Sequence, residues 1–201
     1  MDSRNIGDNI IENVETGETT KLSSLWSESA CVIQFLRRFG CPVCRMGSRD
    51  LTHLKPRLDA ANVRMVAIGM EETGAKEFLE SGFWKGELYI DRQKKIYGVL
   101  NFERYTFMTI IACLFTKRSR EAISKAKSQG ISGNMSGDTL QMGGTLVIDK
   151  GGKVLLEFKQ ETPTDSVPLD RILRVLGIGR QGRTFSMESH TSIDTSHCDE
   201  C

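Results

Sequence analysis

The chain has 201 residues, of which 39% are hydrophobic and 26% are charged, as expected of a soluble globular protein with room for one domain. The formal net charge is +1, so bulk charge does not predict nucleic-acid binding. The N-terminus lacks the apolar core of a secretory signal, and the chain has no run of about 18 apolar residues that could span a membrane. Six cysteines without a signal favour a reducing compartment, so we expect a cytosolic protein.

The first half of the chain predicts strands that alternate with helices. Residues 10–21 alternate polar and apolar side chains around Thr16-Gly17 and predict an N-terminal hairpin. Residues 30–36 are almost continuously apolar, which predicts a central strand covered on both faces. Residues 44–60 have helical spacing, and Pro56 kinks this helix or ends its first part. Further predicted elements are a helical turn (22–26), two strands (62–69 and 87–91) and two helices (74–81 and 93–100).

The second half starts with an insertion and ends with a hairpin. Residues 105–115 are apolar and predict a helix or a lid-like segment, and residues 117–128 form a basic helix. The basic side chains are either a solvated face or a surface that steers an anionic substrate or partner. A glycine- and serine-rich turn (130–137), a hairpin (143–158) and a last helix (167–176) follow. Residues 1–178 therefore predict one α/β domain with a central mixed sheet flanked by helices, and residues 179–201 predict a disordered tail.

Cys41-Pro42-Val43-Cys44 is the motif best suited to chemistry. It follows the predicted central strand and begins a helix, which is the thioredoxin arrangement. The first N–H groups of that helix and its dipole lower a thiol pKa. We therefore expect Cys41 to attack as a thiolate and Cys44 to resolve the resulting adduct. The alternatives are half of a zinc site or two buried thiols. Positive potential would come from three flanking arginines, namely Arg37, Arg38 and Arg45.

The remaining cysteines and one histidine are weaker candidates. Cys31 and Cys113 lie in apolar runs, and we expect both to be small buried hydrophobic side chains. His53 is a surface or core-edge side chain or, less simply, a proton donor. Cys198 and Cys201 could complete a Cys₄ zinc site with the first pair, but a disordered tail disfavours it, and we expect no metal. No glycine-rich dinucleotide fingerprint is present, so we expect no directly bound NADPH.

An ordered set of short motifs runs along the chain. The first is LRRFGCPVCR, residues 36–45, which resembles the active-site loop of the peroxiredoxin-like 2 family, a branch of the thioredoxin-like superfamily. Further matches lie at residues 86–91, 102–105, 133–138, 140–144 and 175–178. The resemblance spans roughly residues 10–178 and excludes the tail.

The resemblance implies a thioredoxin-like oxidoreductase of prostaglandin and fatty-acid biosynthesis. Such an enzyme reduces the endoperoxides of prostaglandin H2 and prostamide H2 to prostaglandin F2α and prostamide F2α. Cys41 and Cys44 are the residues that match the chemistry of the family. Electrons would come from thioredoxin, and ultimately from NADPH through thioredoxin reductase, with no bound cofactor. The alternatives are a general thiol antioxidant or peroxide reductase and a redox-sensing regulator.

A lipid substrate also requires an apolar pocket. Phe39, Phe102 and Tyr105 are candidates for its lining, together with Phe107 and Met108. The alternative is that these aromatic residues belong to the core.

Overall fold

The structure is a computed structural model that describes residues 3–134 and 136–179. One mixed sheet has the strand order β2-β1-β5-β4-β3-β6-β7, in which β3, β4 and β5 are parallel and the other pairings are antiparallel. The strands are β1 (Ile10–Asn13), β2 (Thr19–Lys21), β3 (Cys31–Phe35), β4 (Arg64–Gly69), β5 (Glu87–Ile90), β6 (Gly144–Ile148) and β7 (Val154–Lys159). This confirms the predicted mixed sheet, in which β3 is an interior strand between β4 and β6.

Helices cover the sheet, and the prediction of an interruption at Pro56 is confirmed. The helices are α1 (Arg4–Gly7), a 3-10 helix (Leu22–Trp26), α2 (Pro42–Thr52), α3 (Lys55–Ala60), α4 (Ala75–Glu80), α5 (Lys95–Val99), α6 (Phe107–Leu114), α7 (Lys117–Ser128) and α8 (Leu169–Val175). Pro56 lies in the first turn of α3, where its missing N–H has no intrahelical partner to lose. None of the helices described is long and apolar enough to cross a bilayer.

The two predicted hairpins are both present. Strands β1 and β2 pair through Ile11 and Thr20. Strands β6 and β7 are joined by a turn in which Gly151 and Gly152 have φ of 82° and 103°, a region that side chains with a Cβ rarely adopt. The predicted tail, with Cys198 and Cys201, lies outside the described residues from position 180 onward.

The core has two layers, one on each face of the sheet. Val32 and Ile33 are adjacent in β3 and fully buried, but they belong to different apolar clusters. This follows from the alternation of side chains along a strand, and each such buried side chain contributes roughly 1.5–3 kcal/mol. The cluster on the Val32 side also contains Cys41 and Cys44. The cysteine pair is therefore built into the core.

The predicted insertion forms helices α6 and α7. Ile110 is the buried residue of α6. Cys113 was expected to be buried, but it is only half-buried. The apolar run around it is an exposed helix and not a core segment, which is why the expectation is wrong.

Candidate active site

Cys41 lies at the junction between the central strand and helix α2. Its backbone is extended (φ −78°, ψ 122°), and Pro42 then begins the helix. Cys41 thus occupies the N-cap position, and its Sγ accepts the backbone N–H of Cys44 at 3.5 Å. A two-residue spacer in a helix start brings the two cysteines to the same end of α2. The Cys41 sulfur is therefore close to both the N-terminus of α2 and the second thiol.

The two thiols are buried and differ in their protonation. Cys41 is 6% exposed and Cys44 is 8% exposed. Hydrogen bonding with the Cys44 thiol, helped by the Arg37 guanidinium and the Cys44 N–H, lowers the pKa of Cys41 to about 5 despite burial. The same thiol–thiolate hydrogen bond, together with burial, raises the pKa of Cys44 well above its ordinary value. At neutral pH the site therefore contains a Cys41 thiolate beside a Cys44 thiol.

Arg37 is the predicted arginine that reaches the thiolate. Its Nη1 lies 4.0 Å from Cys41 Sγ. Its Nε donates to the carbonyl of Gln141 and its Nη2 to the carbonyl of Thr139, each at 3.1 Å. Because both carbonyls accept hydrogen bonds from the Arg37 guanidinium, they hold it in position next to the Cys41 sulfur.

Arg45 has a different environment from the one that the sequence suggests. It is 2% exposed, and its guanidinium donates to Phe39 O at 2.8 Å, Ser132 O at 3.0 Å and Glu77 Oε1 at 2.6 Å. These partners direct it away from Cys41, so the predicted role of Arg45 as a thiolate stabiliser is not supported. It ties the loop before α2 to a later part of the chain.

Arg38 both binds backbone carbonyls of a later segment and acts on the Cys41 thiolate through its charge. Its Nη1 donates to the carbonyls of Asn134 and Ser136 at 2.8 and 3.2 Å. Its positive charge also lowers the pKa of Cys41, to a smaller extent than that of Arg37.

Residues 132–134 and 136–141, here called the covering loop, lie over the cysteine loop. Asn134 N donates to Gly40 O at 2.8 Å. A Cβ added to Gly133 would lie 2.5 Å from both Gly40 O and Pro42 Cδ, so the two backbones are in direct contact. The predicted glycine-rich turn therefore has a structural reason, because glycine permits this approach. The sequence did not show that its target is the Cys41 loop.

A cavity of about 240 Å³ opens beside the cysteine pair. Cys44 and Arg37 line it, and Cys41 is not among the lining residues. Its apolar lining includes Val43, Phe158 and Val167, from helix α2, strand β7 and the segment before α8. The cavity thus joins an apolar wall to one thiol and one guanidinium.

The aromatic residues predicted to line a substrate pocket do not line this cavity. Phe39 is 1% exposed and packs against Phe78, with ring centroids 5.3 Å apart. Phe102 is 6% exposed and packs with Phe35 on the other side of the sheet. Tyr105 is half-buried, and its hydroxyl donates to Glu161 O. The two phenylalanines are core residues, because packing against other aromatic rings already buries their side chains without a ligand.

The other candidates lie away from the pair. His53 is exposed at the C-terminal end of α2, as expected of a surface side chain. Both cysteines lie at the start of that helix, so the alternative role of His53 as a proton donor is not supported. Cys31 is fully buried, and burial raises the pKa of its thiol, as expected of an inert core cysteine. Within residues 3–134 and 136–179, no group of three or more possible ligands could hold a metal ion.

Comparison with known proteins places the chain in a family. Residues 50–162 match the family model of the AhpC/TSA antioxidant enzymes. The prostamide/prostaglandin F synthases of Bos taurus and Homo sapiens are 48% and 47% identical, over 90% of this chain and 90% and 92% of theirs. That of Xenopus tropicalis is 47% identical over 89% of both chains.

Solved structures show the same fold at low identity. Peroxiredoxin Q of Xanthomonas campestris superposes with a TM-score of 0.61 at 14% identity, covering 88% of this chain and 94% of that one. Peroxidoxin BcpB of Mycobacterium tuberculosis gives 0.55 at 18% identity, covering 84% and 89%. These likenesses establish a thioredoxin-like, peroxiredoxin-like fold. With the sequence matches, they show that this chain belongs to the prostamide/prostaglandin F synthase family and is an oxidoreductase.

Proposed function

We propose that this chain reduces the endoperoxide bond of prostaglandin H2 and prostamide H2, giving prostaglandin F2α and prostamide F2α. The observation that carries the proposal is the pairing of a Cys41 thiolate with a protonated Cys44, which lines a partly apolar cavity. The names of the relatives support the substrate class.

The chemistry requires two thiols and no bound cofactor. The Cys41 thiolate attacks one oxygen of the weak O–O bond, an S–O bond forms, and the other oxygen leaves as an alkoxide that takes a proton. The Cys44 sulfur, losing its proton, then attacks Cys41 Sγ. The S–O bond breaks, the second oxygen leaves and is protonated, and a Cys41–Cys44 disulfide remains. The two thiols are thus oxidised by two electrons and the endoperoxide is reduced to a diol, with the short spacer keeping the second thiol at high effective concentration.

The cavity suggests how the substrate approaches. Its volume of about 240 Å³ is below the roughly 300–1,000 Å³ of most ligand pockets, so the peroxide-bearing part enters and the rest of the lipid stays outside. Arg37 in the lining supplies positive charge for the alkoxide. The peroxide has to pass the Cys44 side chain to reach Cys41. Attack by Cys44 itself would avoid that step, but it would require ionising a thiol whose pKa is raised.

Turnover requires a dithiol that reduces the Cys41–Cys44 disulfide. We propose thioredoxin, recycled by NADPH through thioredoxin reductase, because a disulfide across a two-residue spacer is a substrate for thiol–disulfide exchange.

A product assay tests the proposal. The full chain, thioredoxin, its reductase and NADPH are mixed with prostaglandin H2, and prostaglandin F2α is measured by mass spectrometry. Cys41→Ser abolishes turnover. Cys44→Ser cannot form the Cys41–Cys44 disulfide, and with a thioredoxin whose second active-site cysteine is replaced by serine it accumulates a mixed disulfide through Cys41. Cys113→Ser, a half-buried cysteine of α6, is the matched control and keeps full activity. If Cys41→Ser keeps its activity and Cys44→Ser loses it, the roles of the two cysteines are reversed. If thioredoxin reduces the enzyme but no prostaglandin F2α forms, the proposed substrate is refuted.

General peroxide reduction is the second candidate, and the match to the antioxidant-enzyme model favours it. The matched residues, 50–162, begin after the cysteine pair, so the match supports the fold more than the thiol chemistry. The same coupled assay with hydrogen peroxide and with insulin disulfide separates the candidates. Faster NADPH consumption with hydrogen peroxide than with the endoperoxide would favour the general activity.

A further inference from the structure

Helix α6 exposes large apolar side chains. Phe107 is 66% exposed, Met108 is 73% exposed and Phe115, just after the helix, is 75% exposed. Phe107, Ile111 and Phe115 are spaced by four, so they form one stripe along the helix with Met108 beside it. Ile110, three residues after Phe107 and therefore at one edge of the stripe, is the buried residue of α6 and anchors the helix to the rest of the protein. Large exposed apolar patches mark interaction sites more often than chance exposure.

Helix α7 adds positive charge next to this stripe. Five of its side chains are basic and exposed, namely Lys117, Arg118, Arg120, Lys125 and Lys127, against one acidic residue, Glu121. The buried residues of α7 are Ser119 and Ala126, and Ala126 packs on Met46 of α2. The cations therefore point outward, away from the helix that begins with the cysteine motif.

We propose that α6 and α7 together form a docking surface for an anionic lipid bilayer. The apolar stripe enters the boundary between headgroups and acyl chains. The cations of α7 other than Arg118, which pairs with Asp165, contact acidic headgroups. The charge complementarity and the phenylalanine-rich face are the two features by which interfacial helices bind membranes. The short α6 lies in the plane of the membrane and does not cross it.

The location of this surface fits delivery of a lipid. The Tyr105 hydroxyl, two residues before α6, donates to Glu161 O. Arg118 in the first turn of α7 pairs with Asp165 at 3.2 Å, and Asp165 lines the cavity that contains Cys44. A bilayer that contacts α6 and α7 would therefore lie next to the cavity wall. Membrane binding is nevertheless a separate property, and the proposal holds whichever peroxide is the substrate.

Vesicle flotation with the full chain tests the proposal. Vesicles of phosphatidylcholine alone are compared with vesicles that also contain phosphatidylserine, and we expect binding to the anionic vesicles that weakens with salt. The double variant Phe107→Ser/Phe115→Ser lowers the affinity for the vesicles roughly tenfold or more, because two rings that the bilayer would bury are lost. Lys117→Glu/Arg120→Glu also lowers it roughly tenfold or more, since each basic residue near an anionic surface accounts for about a fivefold change.

Controls outside the surface make the test specific. Val99→Ser on α5, 43% exposed, matches the apolar change, and Lys153→Glu at the β6–β7 turn matches the charge reversal; both keep wild-type binding. Absence of binding to anionic vesicles, or equal loss in the controls, refutes the proposal. A second copy of the chain is the competing occupant. If Phe107→Ser/Phe115→Ser converts a dimer to a monomer in ultracentrifugation and the wild type does not float, the surface is a self-association interface and the proposal is overturned.

Discussion

Replacing Arg37 with methionine tests the origin of the Cys41 thiolate. The guanidinium Nη1 lies 4.0 Å from Cys41 Sγ, and the positive charge of Arg37 lowers the pKa of that thiol. Methionine keeps much of the side-chain volume and removes the charge. The substitution should therefore raise the pKa of Cys41 and leave less thiolate at neutral pH.

The distance sets the size of the effect. Two unit charges about 4 Å apart interact by about 1 kcal/mol in water and about 4 kcal/mol at the effective dielectric constant of a protein site. At 1.36 kcal/mol for each unit of pKa, Arg37→Met raises the pKa of Cys41 by about 1 to 3. From a starting value of about 5, the pKa moves to about 6 to 8. At the upper end of that range, most of Cys41 is protonated at pH 7.

The assay is the pH dependence of iodoacetamide alkylation at Cys41, followed by mass spectrometry of its peptide. Arg45→Met is the matched control, because it also removes a buried guanidinium and its bonds to backbone carbonyls but does not contact the sulfur. Arg37→Lys keeps the charge and should recover part of the shift. An alkylation midpoint that does not move in Arg37→Met, or moves equally in Arg45→Met, would show that the helix N-terminus and Cys44 suffice.

Three further predictions concern the same loop. Cys44→Ala removes the largest cause of the lowered Cys41 pKa, so alkylation of Cys41 at pH 6 should slow; an unchanged rate would contradict the thiol–thiolate hydrogen bond. The folded pKa of Cys41 lies below its ordinary value of 9.0, so its contribution to stability is present above pH 9 and lost as pH falls toward 5. Under reducing conditions the difference in urea unfolding free energy between wild type and Cys41→Ser should thus rise with pH across this window, by at most about 1.4 kcal/mol per unit, and a flat difference would show that Cys41 is not a thiolate in the fold. Gly133→Ala places a Cβ 2.5 Å from Gly40 O, which should cost about 1–3 kcal/mol and lower the melting temperature and activity, whereas Gly98→Ala, which meets open space, should do neither.

Local patterns were enough to predict most of the fold. The strand β3, the cysteine motif and the start of α2 at Pro42 follow one another closely in the chain. Short-range geometry therefore predicts that the cysteines lie where the helix begins. The β6–β7 hairpin was equally readable from Gly151 and Gly152. Each of these elements depends on neighbours a few residues away.

The environment of the cysteines could not be predicted in the same way. Arg37, Arg38 and Arg45 look equivalent in the sequence, but each donates to at least one carbonyl of the covering loop, 87 to 104 positions further along. Backbone carbonyls carry no sequence signal. The cavity is also long-range, since Phe158 reaches it from β7. The sequence left Phe39 open between pocket and core, because Gly69, which lies beneath its ring, is a neighbour only in the folded chain.

The distance along the chain between the arginines and the covering loop has a consequence for biosynthesis. The hydrogen bonds from Arg38 and Arg37 span 96 to 104 positions, and ribosomes add roughly 5–20 residues per second. The cysteine motif is therefore made about 5–20 s before the loop that covers it. During that interval the nascent chain carries the two thiols, flanked by arginines, without the loop that covers them in the folded protein. Until the loop is synthesised, cellular thiols and oxidants are the first reaction partners that the pair can meet.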